Sequence, residues 1–476
     1  MNRIVIPFFI ALASFPSTAQ EKWSLERCIQ HAKENNLQVK QTQISQSLAK
    51  NQLTQAKADF YPNLNSDLSY GVNFGRSIDP TTYDFVTQQI QTSSVSLSSG
   101  VTLFSGLNKV NALKQSKYDV LSSQYATEDV ASSISLSITS AFLQILLSNE
   151  ENKKAEERLK LSAQQVEQTS KLVAAGVLPE GNLLDVQAQQ AADSLAFIIS
   201  KNAIELSKLN LALLLQLEEP AAFDVEIPEV TVTAPAYLNE LNAENVYTTA
   251  LNNQASVKSA NYSVLSAERR WRAAQGLYFP SLSLYYSLRT NHSSIAKKID
   301  AEISEQNPVI GYVDDANLTP VRSLYDFTTP VYVDAPFLGQ YSDNLNHTLG
   351  LRLTVPIFNS MQTRMAVKNM ELQAVKAKYS LKTVQDRLKS DVYAAYADAK
   401  AAYQKYQASK NSVSALEKSF EYVTKKFSLG AATTLEYSTA STNLAAAQSE
   451  LIKSKYEYIF KLKVLDYYLG NPITLN

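Results

Sequence analysis

Two short stretches constrain the fold of this 476-residue chain more than anything else in it. In VTLFSGLN, Val101 to Asn108, an alternating, strand-like pattern stops at Phe104 and a very long helical pattern begins. The same join recurs in LTVPIFNS, Leu353 to Ser360. From Phe104 to Gly176 is 72 positions, and from Phe358 to Gly430 is also 72. Sliding residues 25–64 by 218 positions lays them on 243–282 without a gap. Glu26 then meets Glu244, Ala32 meets Ala250, Val39-Lys40 meets Val257-Lys258, and Tyr61-Pro62-Asn63-Leu64 meets Phe279-Pro280-Ser281-Leu282. Beyond the strands the offset is 254, which brings Phe104 onto Phe358, Gly176 onto Gly430 and Leu215 onto Leu469. An internal duplication of this kind outranks every local reading. The change of offset places an insertion between the second pair of strands, within residues 290–344.

One copy of the unit reads as follows. From Trp23 to Phe60 the pattern is helical, with Ser24 as its cap and Glu26 in its first turn. At Tyr61-Pro62 the period becomes two: Leu64, Leu68, Tyr70 and Val72 alternate with Asn63, Asn65, Asp67 and Ser69. A polar loop, Arg76 to Gln91 with an Asp79-Pro80 turn, leads to a second strand. There Val95, Leu97, Val101 and Leu103 oppose Ser94, Ser96, Ser98 and Thr102. Ser105 to Leu172 is helical, Gly176, Pro179 and Gly181 make a turn, and Asn182 to Leu217 is a returning helix. The prolines at 220, 228 and 235 mark a linker. The expected organisation is a first repeat over 20–218, a linker over 219–240 and a second repeat over 241–476. In the second copy the strands carry Leu282, Leu284, Tyr286 and Leu288, then Leu345 to Ile357, and the insertion between them reads as a long polar loop.

The balance of 44 basic and 45 acidic residues lacks the basic footprint of nucleic-acid binding. Residues 1–19 read as a signal peptide: Arg3, an apolar run from Ile4 to Phe15, and the small residues Ser17 to Ala19. No later stretch is an uninterrupted apolar run of the ~18 residues that a membrane helix needs. Cys28 is the only cysteine and reads as a residue on a helix face. His31, His292 and His347 have no partners at metal spacing, and no nucleophile has a base beside it. Neither a cofactor nor an enzymatic activity is expected.

The strand patterns suit tilted transmembrane strands of about 9–11 residues. A soluble sheet with one face on a core alternates in the same way, but three features favour a membrane. All four apolar faces are opposed by Ser, Asn and Thr. Aromatic residues sit at every helix–strand join: Tyr61, Phe104, Phe279 and Phe358, with Pro62, Pro280 and Pro356 beside them. The strands connect on one side through polar loops and on the other directly to helices. Four strands cannot close a barrel, and lipid does not tolerate open edges, so copies must associate. Two copies give eight strands and three give twelve. Heptad seams, Val413-Leu416-Phe420-Val423-Phe427 and Tyr458-Leu462-Leu465-Leu469, predict coiled-coil hairpins. The residues point to a conduit through the outer membrane; an outer-membrane-anchored structural or adhesive stalk without transport uses the same features.

The chain resembles the TolC family of outer-membrane efflux proteins from Trp23 to about Pro472. The resemblance rests on WSLERCIQHAKENNLQVK, on YPNL and FPSL, on LFSG and PIFNS, and on the turns AGVLPEGNLLDVQAQ and SLGAATTLEYSTAS. It implies a mixed α and β membrane protein: a homotrimer with a twelve-stranded barrel, four strands per chain, continued by a long α-helical periplasmic tunnel. It implies a passive exit duct served by an inner-membrane pump through a periplasmic adaptor. The family's adaptor contact falls here on Ala175-Gly176-Val177-Leu178 and Leu429-Gly430-Ala431-Ala432. Its closed entrance falls on Asp185 and Gln187 after the first turn and on Glu436 after the second. The paired aspartates and basic partner of some members are absent, so a gate built on that particular network is not expected.

Overall fold

A computed structural model describes residues 22–78, 83–87, 89–228, 232, 242–314 and 316–475. The expected signal peptide and the Asp79-Pro80 turn lie outside the described residues. The chain divides into two compact units. One holds the described residues of Met1–Asn51 with Ser116–Ala267 and Gln373–Asn476; the other holds Gln52–Gln115 and Glu268–Leu372.

The helices repeat as the offsets require. α1 (Leu25–Asn35) and α2 (Leu37–Ala58) are followed by α3 (Asn108–Ala174) and α4 (Glu180–Leu214). Their counterparts are α5 (Ala243–Asn253) and α6 (Ala255–Gln275), then, after a short α7 (Phe337–Asp343), α8 (Gln362–Ser428) and α9 (Thr434–Leu469). α3 and α8 are both 67 residues long, and their bounds differ by 254 at each end.

Ser24 caps α1 by accepting the N–H of Arg27. The single helix expected over Trp23–Phe60 is broken at Asn36, which is extended at φ −61°, ψ 130°. Its copy Gln254 breaks the second helix in the same way at φ −65°, ψ 128°. Asn36 caps α2 locally, its Oδ1 accepting the N–H groups of Gln38 and Val39, and at both breaks a tertiary contact is added. The Asn36 side chain donates to the carbonyl of Leu214 at the end of α4, and Gln254 donates to the carbonyl of Tyr467 near the end of α9. Each kink therefore fastens one end of a returning helix.

Two equivalent cores follow. In the first, Leu25, Cys28 and Ala32 of α1 pack with Ile138, Phe142, Ile145 and Leu146 of α3, Leu211 of α4, and Ile452, Tyr456 and Ile459 of α9. In the second, Val246 and Ala250 of α5 pack with Val392, Ala395 and Ala399 of α8 and with Tyr458 and Leu465 of α9. α9 thus buries residues in both cores. One window of α3 has a mean hydropathy of 1.7 and meets the length and composition of a membrane span. Ile138, Phe142, Ile145 and Leu146 of the same helix have no exposed surface, so one face of this window is packed into the first core. Along the heptad seam, Val413 and Phe427 are buried, and Phe420 and Phe427 pack against Tyr437 of α9.

In the other unit, β1 (Asn63–Asn73), β4 (Ile90–Ser105), β5 (Ser281–Ser293) and β10 (Asn346–Thr354) form one sheet in the order β1-β4-β5-β10, every pair antiparallel. The register keeps the two faces apart. Leu68 faces Val95 and Leu351 faces Leu284 on the apolar side, while Asp67 faces Ser96 and Thr348 faces Ser287 on the polar side. A bulge at Leu103 shifts the pairing so that Phe104 lies opposite Leu282. The fourth strand ends at Thr354, short of the expected Ile357, because Pro356 has no N–H to give a ladder.

The insertion is not the loop expected from its polarity. β6 (Lys297–Glu305) pairs with β9 (Phe327–Asp334), and between them β7 (Val309–Tyr312) pairs with β8 (Pro320–Arg322). α7 then docks on β5. Gln340 exchanges hydrogen bonds with the backbone of Ser293, and His292 packs edge-on to Phe337. A smaller hairpin, β2 (Arg76–Ile78) with β3 (Phe85–Thr87), stands between β1 and β4. The linker begins with a 3-10 turn at Pro220–Ala222, and Val225 then bridges Trp23. Residues 229–231 and 233–240 of it lie outside the described residues.

Candidate functional site

Three places carry the residues singled out from the sequence. The first is the sheet. Its apolar face is exposed along both edge strands: Leu68 is 78% exposed and Leu353 is 65%. Leaving such a row in water forfeits about 1.5–3 kcal/mol for each large side chain that could be buried. The opposite face carries Ser, Thr, Asn and Gly, with Asp67, Arg289 and Arg352 as charges. At its Tyr61 end a hollow of about 660 Å³ is lined by Asn63, Ser98, Gly100, Ser283, Tyr285 and Arg352 among others. The Arg352 guanidinium lies 5.4 Å from the Tyr285 ring, which leans over Gly350.

The second place is the pair of joins. Both turn from strand to helix through two consecutive left-handed residues, Gly106-Leu107 in one copy and Ser360-Met361 in the other. A Cβ on Gly106 would stand 2.2 Å from the carbonyl oxygen of Gly276, so only glycine fits there. Tyr61, Phe104, Phe279 and Phe358 are all exposed, with Pro62 and Pro356 exposed beside them and Pro280 half-buried.

The third place is the pair of hairpin turns. Gly176 and Gly430 are left-handed, at φ +72° and +69°. The N–H groups of Val177 and Ala431 reach back to the carbonyls of Leu172 and Lys426, closing both helices with the same glycine cap. Ala175, Val177, Leu429 and Ala431 are exposed, whereas Leu178 and Ala432 are half-buried. The helices restart differently. Pro179 precedes α4 without a side-chain cap, whereas Thr433 and Glu436 form a reciprocal capping box at the start of α9. The Thr433 N–H donated to Glu436 at 2.7 Å lowers the Glu436 carboxyl below its usual range. Asp185, Gln187 and Glu436 are exposed, while Val186 between the first two is buried.

Near these turns stands a polar cluster that belongs to no sequence motif. Arg158 of α3 donates from Nε to Oδ1 of Asp193 at 2.6 Å, Nη2 of Arg158 contacts the same oxygen, and Gln189 donates to it at 3.0 Å. Gln189 also accepts from the Ser438 hydroxyl of α9 at 2.9 Å, tying the first hairpin to the second. Asp193 is 1% exposed, and its Oδ2 and the buried Oγ1 of Thr434 have no hydrogen-bond partner among the described residues. Burial, with the Asp193 charge added to it, pushes the Tyr437 phenol up. A buried carboxylate held by an arginine and a glutamine is a charge-assisted network, stronger than neutral hydrogen bonds. One signal in the sequence pointed to it: the offset of 254 puts Ser412 and Ala447 where Arg158 and Asp193 stand. The ion pair therefore belongs to the first copy alone and is not part of the shared framework. Among the described residues, no group of three or more His, Cys, Asp or Glu is placed to hold a metal ion.

The pattern of the family described as "Outer membrane efflux protein" matches residues 28–215 and 246–471. The outer membrane protein TolC of Salmonella enteritidis is 23% identical over 261 residues, which is 49% of this chain and 51% of that relative, so the match spans about half of the relative's length. Among solved structures, CusC superposes with a TM-score of 0.72 at 16% identity, covering 94% of this chain and 92% of its own. VceC from Vibrio cholerae gives 0.72 at 16% identity, covering 94% of each chain. The CmeC outer membrane channel of Campylobacter jejuni gives 0.69 at 15% identity, covering 94% of this chain and 85% of its own. The match over two segments also follows the duplication, since it stops at residue 215 and resumes at 246. The chain belongs to the outer membrane efflux protein family, and the outer membrane is where it acts.

Proposed function

We propose that this protein is the exit duct of a tripartite efflux or type I secretion system, conducting substrates passively from an inner-membrane pump and a periplasmic adaptor to the exterior. The observation that carries the reading is the four-stranded sheet. It has one continuous apolar face exposed, one polar face, and an unpaired strand at each edge. In lipid such edges must be paired, and an antiparallel barrel with apolar residues outward solves both problems at once. Three copies supply twelve strands, and the helical hairpins then form the periplasmic tunnel. Export selectivity resides in the pump, so no substrate is named.

In this reading Ala175 to Leu178 and Leu429 to Ala432 are the adaptor's contact, presented by the two glycine-capped turns. Asp185, Gln187 and Glu436 line the periplasmic entrance. The Arg158–Asp193–Gln189–Ser438 links hold the second hairpin against the first and must rearrange for the entrance to open. Support for this division of labour comes from exposure: the three entrance residues are exposed, whereas Asp193 is buried.

The deciding experiment is single-channel recording of the purified protein in a planar bilayer, with mass measurement of the detergent complex. Discrete conductance from a trimer is expected. A trimer with no conductance under any voltage would favour an anchored coiled-coil stalk instead, and a monomer extracted without detergent would end both readings.

A further inference from the structure

The duplication relates the strand pairings as well as the elements. β1 pairs with β4 so that Asn63 lies opposite Gly100 and Gly71 opposite Thr92. Shifted by 218 and 254, these become Ser281 opposite Thr354 and Arg289 opposite Asn346, which are the observed pairs of β5 with β10. The two hairpins are therefore copies in register. The pairing of β4 with β5 joins one copy to the next, and it has no counterpart inside the chain because β10 and β1 are the free edges.

We infer that β10 of one molecule pairs with β1 of a second copy of this chain in the register already used between β4 and β5, and that Arg352 there meets Asp67 of that copy. The inference rests on the proposed barrel, though not on the number of copies in it. Shifting the β4–β5 pairs by the same offsets puts Leu351 opposite Tyr70, Arg352 opposite Ser69, Leu353 opposite Leu68 and Thr354 opposite Asp67.

Three physical checks are met. The strands run antiparallel, as the alternation through β1, β4, β5 and β10 requires. The faces agree: Leu351 and Leu353 meet Tyr70 and Leu68, and Arg352 and Thr354 meet Ser69 and Asp67. A slip of one residue would turn every leucine to the polar side. The charges also agree. Asp67 lies diagonal to Arg352, within reach of a long side chain. Asp67 makes no ion pair among the described residues of its own chain, and the equivalent positions at the internal seam are the neutral Ser98 and Tyr285. Within the chain Arg289 shares a row with Asp67 but stands two strands away, across Ser96, whereas at the seam between copies Arg352 and Asp67 lie on adjacent strands. They favour β10 against β1 over either edge against itself, and two unlike edges close a ring.

The join does not carry over in the same way. Gly106 and Gly276 touch through their backbones, whereas their counterparts at the seam between copies are Ser360 and Ala58. Side chains there hold the helix joins further apart.

Cysteine pairs in the full-length protein, oxidised in membranes and separated without reductant, test the register. Cys28 is buried, with its thiol pushed up to about 12 by desolvation, and stays out of the reaction. Leu353→Cys with Leu68→Cys is expected to give a ladder of linked copies. Leu353→Cys with Ser66→Cys or with Tyr70→Cys should lose it, because diagonal neighbours lie beyond the roughly 3.5–4.5 Å Cβ separation of a disulfide. A ladder strongest in an out-of-register pair, or none from a protein that is oligomeric in detergent, overturns the register. No ladder from a protein that is monomeric in detergent overturns the barrel reading with it. Arg352→Asp and Asp67→Arg should each lower the temperature at which the oligomer dissociates, and the double exchange should restore it. A double variant no better than either single one removes the ion pair.

Discussion

In the first hairpin, Arg158 reaches from α3 to a carboxylate in α4 that is 1% exposed. At the same places in the second hairpin stand Ser412 and Ala447. The first core is filled by Ile138, Phe142 and Ile145, and the second by Val392, Tyr396 and Ala399 at the corresponding positions. The turns differ too, with a proline start in one copy and a capping box in the other. Yet α3 and α8 keep the same length and the same closing glycine geometry. Backbone course is thus common to both copies, because it depends on helix length, caps and strand register. The buried contents are free to diverge, because a core requires only that volume be filled and polar groups be paired.

That contrast can be tested from its largest expected effect downward. Phe142→Ala should cost about 3–5 kcal/mol, whereas Tyr396→Ala, at a half-buried site, should cost clearly less. Helical thermal melting in detergent would compare them, and equal losses would mean that the two cores are not differently loaded. Asp193→Ala removes the charged hydrogen bonds to Arg158 and Gln189 and should cost about 1.5–3 kcal/mol, while Ala447→Ser in the other copy should change little. The same melting curves decide it. In the bilayer, loss of the Asp193 links should also raise the fraction of time the channel is open.

Gly106→Ala meets both a positive φ, a penalty of about 1–2 kcal/mol, and the backbone of Gly276. Ser360→Ala keeps its conformation and should be near neutral. Yield of folded oligomer from membranes would rank them, and a well-folded Gly106→Ala would refute the close approach of the two joins. Thr433→Ala should cost about 1 kcal/mol through the lost cap, and Pro179→Ala almost nothing. The capping box also gives a direction with pH. The Glu436 carboxyl is lowered by the Thr433 N–H, so its contribution is full above the ordinary glutamate range and is lost as pH falls through the lowered value. Amide exchange at the start of α9 should speed up in acid, while that of α4 changes less.

How much was legible follows from the range of each interaction. The offsets located α3 and α8, the four strands and both glycine turns, since these rest on local pattern and on repetition. The break at Asn36 has a local part, since its Oδ1 accepts the N–H groups of Gln38 and Val39 as an N-cap does, which one asparagine within a helical pattern does not announce. Its other part is long-range, the amide of the same side chain reaching the carbonyl of Leu214, 178 positions away. The strands of the insertion were hidden by its acidic composition. The expected entrance residues Asp185, Gln187 and Glu436 could be placed after their turns, but the Arg158–Asp193 link lies between two helices whose charges look alike in sequence.

By itself, then, the sequence determined a doubled strand–helix unit, two-faced strands and a need for partners. Period and repeat are properties of neighbouring residues, which is why both could be read without the structure. Only the tertiary structure decided which strands adjoin, where the helices kink and which carboxylate is buried. Those outcomes depend on groups far apart in the chain meeting in one place, and no local pattern records that meeting.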